Sequence, residues 1–577
     1  MSEVFSVSRV SSVKNTTPTV LILGGYGTFG GRLVRLLSDD ERLTLIVAGR
    51  SLKKAEQFCA AHNARATLVP RAFDRAADAA AQLAPLQPNI IVDASGPFQM
   101  YRDPYALVRA AIAGGIDYLD LADGSDFVKG IGQFDTLARE RGVFVLSGAS
   151  SSPVLTAAAV RRLAVGMRID AISAGIAPSP FAELGLNVIR SIASYCGKPV
   201  ALLRHGRADT GYGLIESRRF TIAPPGRVPL GNRRFSLADA PDLKVLPELW
   251  PGLRDIWMGA GTVPASLHRV LNVFAFAVRL KLLPSLLPFA PLMHWTRNTL
   301  RWGAHRGGMY VAIQGVAIDG TNEPGASIER SWHMIAEGDD GPFIPAMACE
   351  AFIRHCLDGK RPASGARAAT TDLELTDYEV LFARRAIFTG QREVTAATPT
   401  LSLYRRLLGD AYETMPAPLR VMHDLNDQMT AEGVATVTRG SGLLARVAAA
   451  VVGFPRAGEN VPLRVDFKVE NGRECWTRCF AGRTFHSTQE QGHGRDAWLV
   501  CERFGPLKVG IALVLDDGRL RLIVRRWSLF GIPLPLFLAP GGDTYEYAAD
   551  GRFHFHVEIG HPWIGLIVGY QGWLVPK

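Results

Sequence analysis

Cysteine is scarce in this chain of 577 residues: there are seven, scattered from Cys59 to Cys501. The nearest pair, Cys475 and Cys479, is spaced CxxxC and has neither a matching second pair nor clustered histidines beside it. That pattern excludes a disulfide framework and a thiolate zinc site, and it suggests a reducing cytoplasm. Charge is also thin, at 20% against 47% hydrophobic residues, which excludes the disordered and collagen-like classes. The net charge of +10 suits a phosphate-bearing partner or an anionic surface, but spread over this length it reads first as ordinary solvation. No run of Lys and Arg interleaved with aromatics occurs, so a nucleic-acid partner is not expected. The opening MSEVFSVSRVSSVKNTTP lacks the apolar stretch of a secretory signal.

The length exceeds what one hydrophobic core supports, so three folding units are expected. Residues 1–17 read as a flexible tail. From Thr19 the character changes: TVLILGG is a short apolar run of the kind a strand buried on both faces requires. Strand and helix then alternate, through LTLIVAGR, LKKAEQFCAAH, ATLVPRAFD and NIIVDASGP, to the strand in GVFVLSG. Such alternation predicts an α/β Rossmann domain over 18–150. Residues 151–390 mix helices with two antiparallel strand candidates, GMYVAIQGVAI and ASIERSWHMIAEG. They read as an α+β substrate domain with an apolar insertion. Over 400–577, segments such as LRVDFKVENG and GRFHFHVEIG alternate apolar and polar residues between Gly or Asn turns, predicting a β-rich C-terminal domain.

One motif carries chemistry. Gly25-Tyr26-Gly27-Thr28-Phe29-Gly30 is a GxGxxG that follows a predicted strand and opens a predicted helix. Gly25 permits the tight turn, Gly27 lets backbone approach a pyrophosphate, and Gly30 lets helix and strand pack closely. The helix N-terminus, with Thr28 and Phe29, offers free N–H groups to phosphates. At the end of the second strand an NAD enzyme usually places a carboxylate. This chain has Arg50 and Ser51 there, with Lys53 and Lys54 behind them. A guanidinium suits a 2′-phosphate, so the expected cofactor is NADP(H). Asp74 is a candidate for the adenine amine or a helix cap, and Ser95, Gly96, Pro97 and Phe98 should lie beside ribose and nicotinamide.

VLILGGYGTFGGRLVRLL, AGRS, VDASGPFQ and DYLDLADGSDFV resemble the saccharopine dehydrogenase-like oxidoreductases, well over about 19–160 and more thinly to about 390. The resemblance implies an NAD(P)-dependent enzyme acting on a small molecule, in a family whose named members work on carbon–nitrogen bonds and some of whose members are linked to lipids. GRTFHS, ERFGP and DGRFHFHV are similar to an uncharacterised domain, the DUF4166 type, found fused to such reductases. Saccharopine-type substrates need several cationic side chains; Arg190 and Arg204 are candidates, but they make no convincing set, and saccharopine itself is not expected.

Hydride transfer needs orientation, a proton donor and exclusion of water. Tyr101, Tyr118, Asp120 and Asp123 follow the fourth and fifth strands, at the carboxyl edge where such sheets bind ligands. The first three are the catalytic candidates, each with a plain alternative as core tyrosine or turn cap. His554, His556 and Glu558 alternate on one strand face with His561 nearby, but a solvated face explains them and no metal is expected. The greasy run from Val270 to Leu283, followed by PSLLPFAPLMHW, is interrupted by Arg279, Lys281 and prolines, so it does not span a membrane. Burial within the protein is the leading expectation; a membrane surface, an apolar substrate pocket and a dimer contact stay open. The combined reading is a cytoplasmic NADP(H)-dependent oxidoreductase of a hydrophobic small molecule, lipid-like molecules included. The alternative is a non-catalytic NADP(H)-binding or membrane-peripheral protein whose last domain binds a ligand or partner.

Overall fold

The computed structural model describes residues 18–261, 265–318, 326–395 and 400–577. The segment read as a flexible tail lies outside them. Strands β1 (Thr19–Leu23), β2 (Thr44–Gly49), β3 (Thr67–Ala72), β4 (Ile90–Asp93), β5 (Asp117–Asp120) and β6 (Phe144–Ser147) form one sheet. The order is β3-β2-β1-β4-β5-β6, and every pairing is parallel. The apolar runs explain this: β4, β5 and β6 are buried at every position, as strands covered on both faces by helices must be. A seventh parallel strand, Gly365–Ala368, joins beyond β6. It comes from inside the stretch that the sequence assigns to the second domain; only tertiary pairing could place so short and polar-flanked a strand.

The second sheet is mixed. Its strands run in the order 217–222, 230–237, 255–261, 167–177, 306–317, 327–337, 387–394. Met167–Ala177 pairs parallel with Asp255–Gly261 and antiparallel with Arg306–Ala317. One hydrophobic core runs through both sheets, from Val20 and Leu33 to Trp332 and Ile387. Helix Ile344–Leu357 lies between them and packs on helix α1 (Gly30–Leu37). A shared core of this kind fixes the two parts rigidly against each other, which a cleft between them requires.

The C-terminal part is an antiparallel barrel of ten strands, closed where Leu507–Asp516 pairs with Arg519–Leu529. Inward residues fill it, and Tyr404 and His423 from the short helices before it sit in its base, with His423 Nε2 2.6 Å from Glu546 Oε2. The His554–His556 face points away from the barrel interior: His556 stacks on Tyr545, and His554 lies tilted against Tyr547, ring centres 5.1 Å apart. Among the described residues, no group of three or more His, Cys, Asp or Glu could hold a metal ion.

The greasy stretch departs from the expectation of burial. It forms helices Ala265–Arg279 and Ala290–Thr299. One face is covered, with Ala275, Val278 and Ala290 buried against Ile189 and Ala193. The other faces out, with Val273 68% exposed and Trp295 63%. No helix among the described residues is long and apolar enough to cross a membrane.

Arg392 joins barrel to middle sheet. Fully enclosed, it donates to Ala223 O (2.7 Å) and Leu407 O (2.8 Å) and stacks 4.0 Å over Trp498. Burial pulls its guanidinium well below the usual range. Replacing it with Leu leaves two buried carbonyls unpaired, which should cost about 3 kcal/mol. Urea unfolding followed by tryptophan fluorescence should show the barrel melting earlier than in the wild type; an unchanged midpoint would contradict the assigned role.

Candidate active site at the carboxyl edge of the parallel sheet

A cleft of about 820 Å³ opens where the carboxyl ends of β1–β5 face helix Leu186–Tyr195 and the loop around Asp239. That volume lies in the upper part of the range for ligand pockets. It sits on either side of β1, where the strand order reverses, the place where open α/β sheets bind ligands.

The glycines shape one half. Gly24 has φ +72°, and a Cβ there would lie 2.8 Å from Ala94 O, so neither conformation nor space admits a side chain. Gly30 packs directly against the Gly24 carbonyl, which draws α1 onto the turn. Gly25 donates to Ala48 O at 3.0 Å. Gly25 and Gly30 therefore build the turn from behind, whereas Gly27, Thr28 and Phe29 line the cleft.

Arg50 lines the cleft at the end of β2, exposed and without an ion-pair partner among the described residues. Lys53 and Lys54 are exposed just beyond it. Ser51 turns away to cap helix Leu52–Ala60, accepting from Lys54 N, while its own N–H donates to the Tyr26 hydroxyl at 3.0 Å. Asp74 lines the cleft and accepts from Ala76 N at 3.0 Å. A guanidinium without an ion-pair partner among the described residues fits the 2′-phosphate of NADP(H), and the close backbone approach at Gly24 and Gly27 fits its pyrophosphate.

The floor is the loop after β4. Ser95, Gly96, Pro97 and Phe98 line it together with Tyr101. Tyr101 donates its hydroxyl to Ser95 O at 2.8 Å, so the phenol positions this loop. Beneath it Arg75, not singled out in the sequence, pairs with Asp93 at 2.6 Å and stacks 4.1 Å from the Tyr101 ring centre. From above, Asn187 donates to Gly96 O at 2.7 Å, tying the middle domain to the floor.

The other two catalytic candidates sit elsewhere. Tyr118 is fully buried behind the sheet, its hydroxyl 3.4 Å from Asp93 Oδ2. Asp120 is also fully buried and does not line the cleft. Its Oδ1 accepts from Ala122 N, Ser147 Oγ and Gly148 N, while Oδ2 has no partner among the described residues. Burial pushes its carboxyl up to about 7. The two-residue period of β5 explains both positions, since Tyr118 and Asp120 share the strand face turned from the cleft.

The cleft instead holds Asp123, on the loop after β5, with Ser191, Tyr195 and Asp239 brought in by the middle domain. Asp123 is exposed and opens onto the cavity. Desolvation by the cleft around it raises its carboxyl's proton affinity, the Ser191 hydroxyl partly offsets this, and Asp239 adds to it. Burial, then Asp123 and Asp239, keep the Tyr195 phenol protonated far above neutrality. Asp239 accepts from Ser125 Oγ at 2.7 Å. Leu121, Ile176, Val188, Ile192 and Met258 supply apolar walls. Of the two cation candidates, Arg190 lines the cleft; Arg204 lies outside it, paired with Asp209 and Glu216. Asp239 and Tyr195 carry no local sequence signal; only the fold brings them to Asp123.

Residues 20–147 match the family model of the saccharopine dehydrogenase NADP binding domain, and residues 415–574 match a domain of unknown function, DUF4166. A search of curated proteins finds no match. Among solved structures, saccharopine dehydrogenase (L-Glu forming) from Saccharomyces cerevisiae aligns at 11% identity and TM-score 0.47, covering 65% of this chain and 100% of that one. An amine dehydrogenase from Mycobacterium smegmatis aligns at 10% identity and TM-score 0.29, covering 61% and 94% respectively.

Arg50→Ala should weaken NADPH binding tenfold or more, about 1.4 kcal/mol, and leave NADH binding unchanged. Fluorescence titration of both nucleotides checks this. Equal losses for the two would show that Arg50 does not read the 2′-phosphate.

Proposed function

We propose that this chain, which carries a saccharopine dehydrogenase-type NADP-binding domain and a DUF4166 domain, is an NADP(H)-dependent oxidoreductase of a hydrophobic small molecule. The observation that carries the reading is the make-up of the cleft: Arg50, without an ion-pair partner among the described residues, at the β2 end near Asp74; Asp123 and Asp239 at the other; and apolar walls between. When bound, NADP(H) supplies hydride exchange.

The chain's own residues supply the rest. Gly24, Gly27 and the start of α1 receive the phosphates, and Arg50 selects the phosphorylated ribose. The Ser95–Phe98 loop, held from below by Arg75 and Tyr101 and from above by Asn187, fixes the reactive end. Asp123 holds or releases the proton at its carboxylate, whose proton affinity the cleft raises. Tyr195 stays protonated and donates a hydrogen bond to the substrate's heteroatom. Leu121, Ile176 and Met258 exclude water and contact the substrate body. An acidic substrate would meet Asp123 and Asp239 with Arg190 as the available cation beside them, which argues against a dicarboxylate such as saccharopine.

Asp123→Asn should lower NADPH-linked turnover of an apolar carbonyl or imine by about a hundredfold or more, with NADPH affinity kept. In the reducing direction Asp123 must be protonated, so wild-type activity falls as pH rises through its raised value and the variant loses that limb. Steady-state rates across pH, following NADPH absorbance, check both points. An Asn variant with wild-type rate would remove Asp123 from the mechanism.

A further inference from the structure

The outer face of helices Ala265–Arg279 and Ala290–Thr299 has no partner within the chain. On the first helix Val270, Val273, Phe274 and Phe276, and just past its end Leu280, are all exposed, three or four residues apart along one side. On the second, Leu292 and Trp295 continue the apolar surface, and Leu282 between the helices and Trp302 after them are 73% and 65% exposed. Single exposed apolar residues are ordinary, but a contiguous set of this size marks an interaction surface.

The charged residues along this stretch have one sign. Residues 256–318 contain no Asp or Glu and six Lys or Arg, of which Arg297 is buried and Arg306 pairs with Glu337. Arg269, one turn before Val273, stands with Arg219, Arg234 and Arg495 in a group that has no ion-pair partner among the described residues. Burial, and then the crowding of the other three, holds Arg219 below the usual guanidinium range. Arg495 comes from the barrel, so two parts of the chain converge on this basic patch.

We infer that these two helices and the adjoining arginines dock the protein on an anionic lipid bilayer, lying in the interface without crossing it. An amphipathic helix with aromatic and aliphatic residues on one side and cations at its edge has this geometry. Each cation near an anionic surface adds to the attraction. A second copy is the poorer occupant, because a twofold contact would set arginines against arginines across helices whose sequence holds no acid. The covered side of the helices packs on Leu186–Tyr195, the helix that walls the cleft. The docking itself does not depend on the oxidoreductase reading.

Co-sedimentation with vesicles of phosphatidylcholine, with and without an equal part of phosphatidylglycerol, tests this. The wild type should bind the anionic vesicles, bind pure phosphatidylcholine far less, and release as salt screens the charges. A V273S/F274S/W295S variant, altered only at exposed positions, should lose tenfold or more in partitioning, about 1.4 kcal/mol, while NADPH titration shows it folded. If that variant does not fold, R269Q/R495Q supplies the same comparison. Failure of the wild type to bind anionic vesicles would overturn the proposal. Undiminished binding by the folded variant, or a wild-type dimer that the variant dissolves without any vesicle affinity, would do so equally.

Discussion

The buried ion pair between Arg75 and Asp93 is the constraint on which the cleft depends. Asp93 ends β4 with no exposure, and Arg75 follows β3, 7% exposed. Neither charge could stay in that position alone, since stranding one partner costs about 3–5 kcal/mol. Together they join the loops after two strands that are not neighbours in the sheet. Asp93 also accepts from Ser95 N at 3.0 Å, and Arg75 lies against Phe98 and Tyr101 while donating to Pro104 O. The floor of the cleft is thereby set before any ligand arrives, and preorganisation of this kind is what hydride chemistry asks of a protein.

The opposite wall is held by local contacts. Helix Leu186–Tyr195 is fixed over the glycine turn at its start, with Gly185 against Thr28 and Asn187 on Gly96, and its buried side packs on Ala275, Val278 and Ala290. The electrostatics then divide the cleft: a cation without an ion-pair partner at the β2 end, and Asp123, with raised proton affinity, beside Asp239 at the other. The division is built from distant segments, Arg50 from β2, Asp123 from β5, and Tyr195 and Asp239 from the middle domain.

The turn, the parallel strands and the absence of an acid after β2 were legible in the sequence, because each depends on neighbours along the chain. Gly24 to Gly30 announce a close backbone approach, and TVLILGG announces a strand covered on both faces. What was not legible depends on tertiary placement. Strand spacing could nominate Tyr118, Asp120 and Asp123 together, but it could not say that the first two turn inward while the loop residue reaches the cavity. Arg75 reads as an ordinary charge until Asp93 is placed beside it. The run from Val270 to Trp295 reads as core by composition, yet its helices have a covered side and a bare one, and hydrophobicity alone does not show which side has a partner.

On the proposed reading, one cleft orders a nucleotide from Arg50 at one end to Asp123 at the other. A crystal structure of the protein with NADP+ should then show the 2′-phosphate on Arg50 and the nicotinamide between the Ser95–Phe98 loop and the Asp123–Tyr195 group. A nucleotide lying in the reverse sense, or bound outside this cleft, would contradict it.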